Sequence, residues 1–334
     1  MAFLTDWKAR YRLRRKRQLL LLRAFRHRRD LTPMADRSGQ IRPGAILLFA
    51  TVRAEARRLP AFLEHYRKIG VDHFLIVDNA SRDGTAELLA TQPDVSLWTT
   101  GHSYRDSRFG MDWLTWLMIR HGHGHWCLTV DADELLVLPH HGTRGLRDLT
   151  AWLDSRGIEA VTALMLDLYP QGPLSTARLD PLTDSWFDPW GYDWQYQPRF
   201  GNISIRGGPR QRVFFADRPQ QAPHLHKTPL IRWNRRHVYV SSTHIALPPR
   251  LNTGFDARRN QPTGVLLHTK FLDQPIPHAR EEKCRREHFT EVDLYDSYYD
   301  RVIADPVLWH PQSQRYENWA QLEALGLMTR GGWT

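Results

Sequence analysis

From residue 45 onward the chain alternates continuous apolar blocks with helically spaced ones. Ala45 to Ala50 (AILLFA) is apolar without a break, the pattern of a strand buried on both faces. Leu59, Phe62, Leu63, Tyr66 and Ile69 then recur at intervals of three and four, and Gly70 stands where such a helix is capped. His73 to Val77 (HFLIV) predicts a second strand, Ala86 to Ala90 a short helix and Val95 to Trp98 a third strand. Met111 to Arg120 predicts a third helix and Trp126 to Val130 (WCLTV) a fourth strand. Strands alternating with helices imply an α/β fold with a mostly parallel central sheet and crossover helices.

Past residue 150 the rhythm loosens and predicts a less regular C-terminal part. Ile158 to Leu168 reads as a strand, whereas Tyr169 to Phe200, rich in Pro, Gly and Trp, reads as a structured loop. Short strands are expected over Asn202 to Arg206, over Arg210 to Phe215, as a pair within Leu230 to Ile245, and at Val265 to His268. Helices are expected over 278–300 and 312–325.

The formal net charge of +10 changes the picture only once it is located. Residues 1–30 hold eleven Lys and Arg against Asp6 and Asp30, a net of +9, which leaves +1 of the +10 for residues 31–334. A basic N-terminal arm on a nearly neutral body argues against a nucleic-acid partner, because nucleic-acid enzymes spread cationic surface over the fold that grips phosphates. Phe3, Trp7, Tyr11, Leu22 and Phe25 recur in the arm at roughly helical spacing, interrupted by Arg14 and Gln18. Such an arm either makes peripheral contact with an anionic membrane or is a solvated tail or a helix packed on the body. Residues 31–44, with Pro33, Gly39, Pro43 and Gly44, read as a linker. No uncharged apolar stretch reaches the roughly 18 residues of a membrane span. Cys127 and Cys284 are too few for a disulfide scaffold, so a reducing, cytoplasmic setting is expected, at most peripheral to the inner face of the membrane.

In open α/β sheets, ligands bind at the carboxyl ends of the strands, which directs attention to Asp78 after HFLIV and Asp131 after WCLTV. The Asp78 carboxylate either accepts hydrogen bonds from a ribose or base, or ties down its own Asn- and Ser-containing turn. Asp131, Ala132, Asp133 and Glu134 form a denser feature. In extended chain, residues two apart point to one side, so both aspartates can meet one hard divalent cation, Mn²⁺ or Mg²⁺. Such ions often take one or two protein oxygens and complete their shell with phosphate and water. The competing reading of the three acids is a helix cap. His244 and His268 stand at or just after predicted strands, while the HGHGH run at 121–125 reads as a polar loop. Trp186, Phe187, Trp190, Tyr192, Trp194 and Tyr196 either stack on sugar rings or pack their own loop.

Residues 50–85 (ATVRAEARRLPAFLEHYRKIGVDHFLIVDNASRDGT) and 126–139 (WCLTVDADELLVLP) together resemble family 2 glycosyltransferases of the GT-A fold, in the branch with an Asp-X-Asp-Glu motif. The resemblance is strong over residues 45–140 and weak over 141–300. It implies a nucleotide-sugar-binding half at 45–140, an acceptor-side half at 141–300 and a C-terminal helical segment at 301–334. It further implies that Thr51, Arg53, Glu55 and Asp78 line the nucleotide pocket and that Asp131 and Asp133 hold the metal. A late histidine, taken as His268, would add a metal or diphosphate contact, with Lys270 on phosphate. Where the family has Asn, this chain has Ala54. The activity implied is transfer of a sugar from a nucleotide-diphosphate donor to a glycan or lipid-linked acceptor, with inversion. Inversion needs a general base, for which Asp188 is the first candidate beside Asp193 and Glu282.

Two rivals follow from the same residues. A haloacid dehalogenase-type phosphatase also places an Asp-X-Asp pattern after an apolar strand, but it continues with Thr or Val where Leu135 stands. A non-catalytic nucleotide- or glycan-binding module on a degenerate transferase fold would explain the missing Asn at position 54. No Gly-X-Gly-X-X-Gly follows a strand, which disfavours a dinucleotide oxidoreductase.

Overall fold

The computed structural model describes residues 2–179, 182–285 and 292–334, with side chains described from residue 7 and, after 285, from residue 296. It begins with α1 (Ala2–His27), then β1 (Thr32–Ala35) and β2 (Ile46–Val52). There follow α2 (Leu59–Ile69), β3 (His73–Asp78), α3 (Thr85–Ala90), β4 (Val95–Thr99), α4 (Met111–His121) and β5 (Trp126–Thr129). The periodicity in α2 buries Leu59, Phe62, Leu63, Tyr66 and Ile69 on the sheet, each contributing about 1.5–3 kcal/mol relative to exposure. Gly70 ends that helix at φ 104°, left-handed backbone that a side chain would strain.

The chain continues through β6 (Glu134–Val137), α5 (Leu146–Ser155), β7 (Ala160–Asp167), β8 (Trp186–Phe187), β9 (Tyr192–Gln197) and β10 (Asn202–Gly207). It closes with β11 (His226–Arg232), β12 (Val238–Ser241), β13 (Ile245–Leu247), β14 (Gly264–His268), α6 (Pro275–Arg285), α7 (Val292–Ile303), β15 (Gln314–Arg315) and α8 (Trp319–Ala324). One nine-stranded sheet in the order β1-β4-β3-β2-β5-β11-β7-β14-β6 organises the molecule. β2, β3, β4, β5, β7 and β14 run one way, and β1, β11 and β6 run against them. The fold is therefore α/β with a mostly parallel central sheet. Apolar layers lie on both faces: α2 and α5 contribute to one, α4 to the other.

Several local expectations change. Residues 31–44 are more than a linker, because Thr32–Ala35 pairs antiparallel with β4 at the sheet edge. Residues 2–30 form no loose tail: α1 lies on α4, with Ala24 buried, Arg23 Nε 2.6 Å from Asp112 Oδ2, and Trp113 Nε1 donating to Asp30 Oδ2 at 3.0 Å. Arg210–Phe214 is a wide helical turn instead of a strand, and it follows Gly207 and Gly208, both at positive φ. Within 312–325 only Trp319–Ala324 is helical, and Gln314–Arg315 pairs with β8. Of the helix expected over 278–300, residues 286–291 lie outside the described residues. Cys127 is buried, as its apolar strand required, and Cys284 is exposed.

Candidate active site

Strand register assembles the site. β7 and β14 run parallel with Asp167 opposite His268 at their carboxyl ends, while β14 and β6 run antiparallel with His268 opposite Glu134. The segment Asp131–Asp133 links the end of β5 to the start of β6, two strands separated in the sheet by β11, β7 and β14. Consequently the acidic segment, the end of β14 and the end of β7 converge. The Asp133 carbonyl accepts from the Thr269 amide at 2.7 Å and from its hydroxyl at 3.0 Å, which fixes the segment to the turn after β14.

A chain of charged contacts results. Asp133 Oδ2 lies 3.1 Å from His268 Nε2, His268 Nδ1 lies 2.6 Å from Asp167 Oδ1, and Arg210 Nε donates to Asp167 Oδ2 at 2.8 Å. Burial works against charge on His268, but Asp133 and Asp167 outweigh it and raise its pKa. Burial also opposes the charge of Asp133, yet His268, Arg58 and Lys270 hold its carboxyl well below the usual range. Beside this chain, Lys227 of β11 donates to Asp131 Oδ2 at 2.8 Å and also pairs with Glu134. The Lys227 and Glu134 side chains are 3% and 1% exposed, whereas that of Asp131 is 51% exposed, so the ammonium clamps a solvent-facing acid to a buried one.

These groups face a cleft of about 920 Å³. Thr51, Arg53, Glu55, Asp131, Asp133, His268 and Lys270 all line it. A side cavity of about 110 Å³ shares Arg53, Glu55, Asp133, Lys270 and Glu282 with it and extends to Tyr298 and Tyr299. Two closed pairs limit how the polar groups in the cleft can act. Glu55 Oε2 lies 3.0 Å from Arg58 Nη1, and burial pushes the Glu55 carboxyl up to about 7 despite that cation. Arg53 Nη1 donates to the Asn79 carbonyl at 2.8 Å, tying the ends of β2 and β3 together. Among the described residues, no three His, Cys, Asp or Glu side chains form a metal cage. Asp133 and His268 engage each other at 3.1 Å at the wall of the cleft, and once that contact opens their oxygen and nitrogen fit a divalent cation that takes only one or two protein ligands.

With this geometry in place, comparison with solved structures finds partial likenesses. The chain is similar to the crystal structure of S. aureus TarS, at 13% identity over 42% of this chain and 26% of that one, TM-score 0.28. It is also similar to the mannosyltransferase PcManGT from Pyrobaculum calidifontis in complex with GDP-Man and Mn²⁺, at 21% identity over 45% of this chain and 43% of that one, TM-score 0.27. The chain thus spans less than half the length of either. No protein-family model and no curated protein matches the sequence. The α/β assignment rests on the sheet itself.

Two sequence candidates are not brought to the cleft. Asp78 is buried, and Ser81 satisfies it through its hydroxyl and through an amide 3.1 Å from Oδ2, so this carboxylate ties down its own turn. Asp188 is fully buried, bonded to the Tyr169 hydroxyl and 3.1 Å from Arg212 Nε, and lines neither cavity. A carboxylate with both oxygens engaged inside the body is poorly placed to meet an acceptor. Asp193 sits exposed on β9, so of the three acids considered for a base only Glu282 reaches the cleft. The aromatic loop packs partly on the body, where Trp186 meets Trp309 edge-on at 6.1 Å and Trp194 meets Phe255 at 5.2 Å. It packs partly on itself, where the Tyr192 hydroxyl donates to the Asp188 carbonyl at 2.6 Å, while Tyr196 stays exposed. His244 does line the cleft, with Nδ1 2.7 Å from the His226 carbonyl. In the 121–125 run, His125 Nδ1 is 2.8 Å from the Ala45 carbonyl, a structural role.

Asp167, Arg210 and Lys227 were absent from the sequence reading. Asp167 had a legible signal, an acid closing the apolar run Ile158–Leu168 as Asp78 and Asp131 close theirs. Lys227 had none, because one lysine ahead of an apolar strand does not reveal which carboxylates cross above it.

Proposed function

We propose that this chain is a metal-dependent glycosyltransferase of GT-A type. It would move a sugar from a nucleotide-diphosphate donor to a glycan or lipid-linked acceptor, with inversion, at the cytoplasmic side of a membrane. The observation that carries the reading is the Asp133–His268–Asp167–Arg210 chain opening on a cleft that also holds Arg53 and Lys270. Asp133 and His268, with Asp131 beside them, would hold Mn²⁺ or Mg²⁺, which when bound supplies Lewis-acid charge to the departing diphosphate.

The chain's own residues do the rest. Asp167 accepts from His268 Nδ1, fixing the tautomer that turns Nε2 toward Asp133. Lys270, whose pKa is lowered by burial, offers phosphate a cation from the turn after β14. Thr51 and Asn79, which line the cleft at the ends of β2 and β3, would meet the nucleotide. Glu282, held 2.9 Å from Arg285 through Oε1, takes the proton from the acceptor hydroxyl. Lys227 on Asp131 gives the non-catalytic reading its one supporting observation, since it engages the first aspartate of the motif.

A thermal-shift panel of UDP, GDP, ADP and CDP with and without Mn²⁺ tests the proposal, because a ligand of the native state alone raises the melting temperature. One diphosphate should stabilise the protein only when Mn²⁺ is present. A flat panel would remove the proposal's basis.

A further inference from the structure

α1 has two apolar sides, one against the body and one largely exposed; on the exposed side Phe25 touches the body through Trp116 of α4, edge-on at 5.8 Å. Leu13, Leu20, Leu21 and Ala24 lie toward the body, where the helix crosses α4. Trp7, Tyr11, Leu19, Leu22 and Phe25 lie outward, and they are 60%, 60%, 57%, 47% and 47% exposed. Trp7 stacks on Tyr11 at 6.3 Å and Leu22 follows Leu19 by one turn, two exposed apolar groups on one helix side with Arg14, Arg15 and Gln18 between them. Apolar surface grouped in this way marks a face that meets something. Exposed Lys8, Arg12, Arg14, Arg15 and Arg26 flank them.

We propose that the outer face of α1 docks on an anionic lipid bilayer surface. Trp and Tyr favour the water–lipid boundary, and leucine and phenylalanine enter the acyl region beneath the headgroups. Each Lys or Arg close to an anionic surface tightens binding roughly fivefold. The cationic flanks also decide against a second copy of the same helix, since two such faces would repel. A nucleic acid would take the charge but leave Leu19 and Leu22 in water. The helix crosses no membrane, for no described helix is long and apolar enough. Arg23 of α1 also lines the cleft, so docking brings the cleft mouth close to the bilayer and suits an acceptor carried there. The membrane-borne acceptor rests on the transferase reading; the docking itself does not.

The test is sedimentation of the full chain with phosphatidylcholine vesicles, with or without 30% phosphatidylglycerol, at 0.1 M and 0.5 M NaCl. Wild-type protein should bind the anionic vesicles at least tenfold more tightly than the neutral ones, and less tightly at high salt. The W7S/Y11S/L22S variant and, separately, the R14E/R15E variant should each lose at least tenfold, with unchanged circular dichroism and melting temperature. Absence of binding to anionic vesicles, equal binding by folded variants, tighter binding to a mixed-sequence oligonucleotide, or a dimer in solution that the serine variant dissolves would each overturn the proposal. Nucleotide binding measured on the same samples reports separately on the transferase reading.

Discussion

At the residue scale, Ala54 occupies left-handed backbone at φ 53°, where the resembling family carries Asn, a residue that tolerates that region better. The missing Asn therefore carries a conformational cost in addition to any lost contact. Ala54→Gly is expected to raise stability by about 0.5–1 kcal/mol in urea melts, the left-handed penalty less the added freedom of the unfolded chain. A loss of stability would show that the methyl group matters more than the backbone. Lys227 makes a sharper case, since removing its charge strands Glu134 in the interior. Lys227→Met should cost about 3–5 kcal/mol at pH 8, and adding Glu134→Gln should recover much of that. A single variant within about 1 kcal/mol of wild type would mean the pair is not held in a dry interior.

At the element scale, the N-terminal half of the sheet was legible because buried parallel strands are continuous apolar runs. The helices between them announce themselves by three- and four-residue spacing and by Gly70. The rule that ligands meet strand ends located Asp131 on the cleft, and the spacing of the motif brought Asp133 with it. The rule also pointed to Asp78, which is taken up by Ser81. Thr51, Arg53 and His268, implied by the family resemblance, line the cleft as well. The choice of Asp188 as base failed because an acid among aromatics serves equally well as an internal partner for Tyr169 and Arg212. β6 was missed because ELLV follows the acidic turn with no break in polarity to mark a new strand at the opposite edge. Packing of α2 on that strand also sets a pH dependence. His65 Nε2 lies 2.9 Å from the Leu136 carbonyl, and burial, helped by His141, lowers its pKa from 6.5 to about 4. Between pH 6.5 and 4 the unfolded chain therefore takes up a proton that the native chain refuses. This contribution to stability falls as pH falls through that window, by up to about 1.4 kcal/mol per pH unit. His65→Gln should then be less destabilising at pH 5 than at pH 7, and an equal cost at both would place His65 in contact with water.

At the scale of the whole molecule, the charge separation seen in composition becomes a division of labour. Residues 1–30 lay a cationic helix along α4, and the nearly neutral body brings its charges together inside the cleft. Everything proposed for that cleft depends on Asp133 serving a ligand instead of the fold. Its side chain is 20% exposed at the start of β6, and replacing it leaves the apolar layers intact. Calorimetry of the stabilising nucleoside diphosphate with Mn²⁺, on wild type and Asp133→Ala beside urea melts of both, tests this most directly. The account predicts that metal-dependent binding disappears in the variant while it still unfolds cooperatively, with a loss of about 1–3 kcal/mol for the broken contact with His268. Wild-type affinity in a folded Asp133→Ala protein would contradict it.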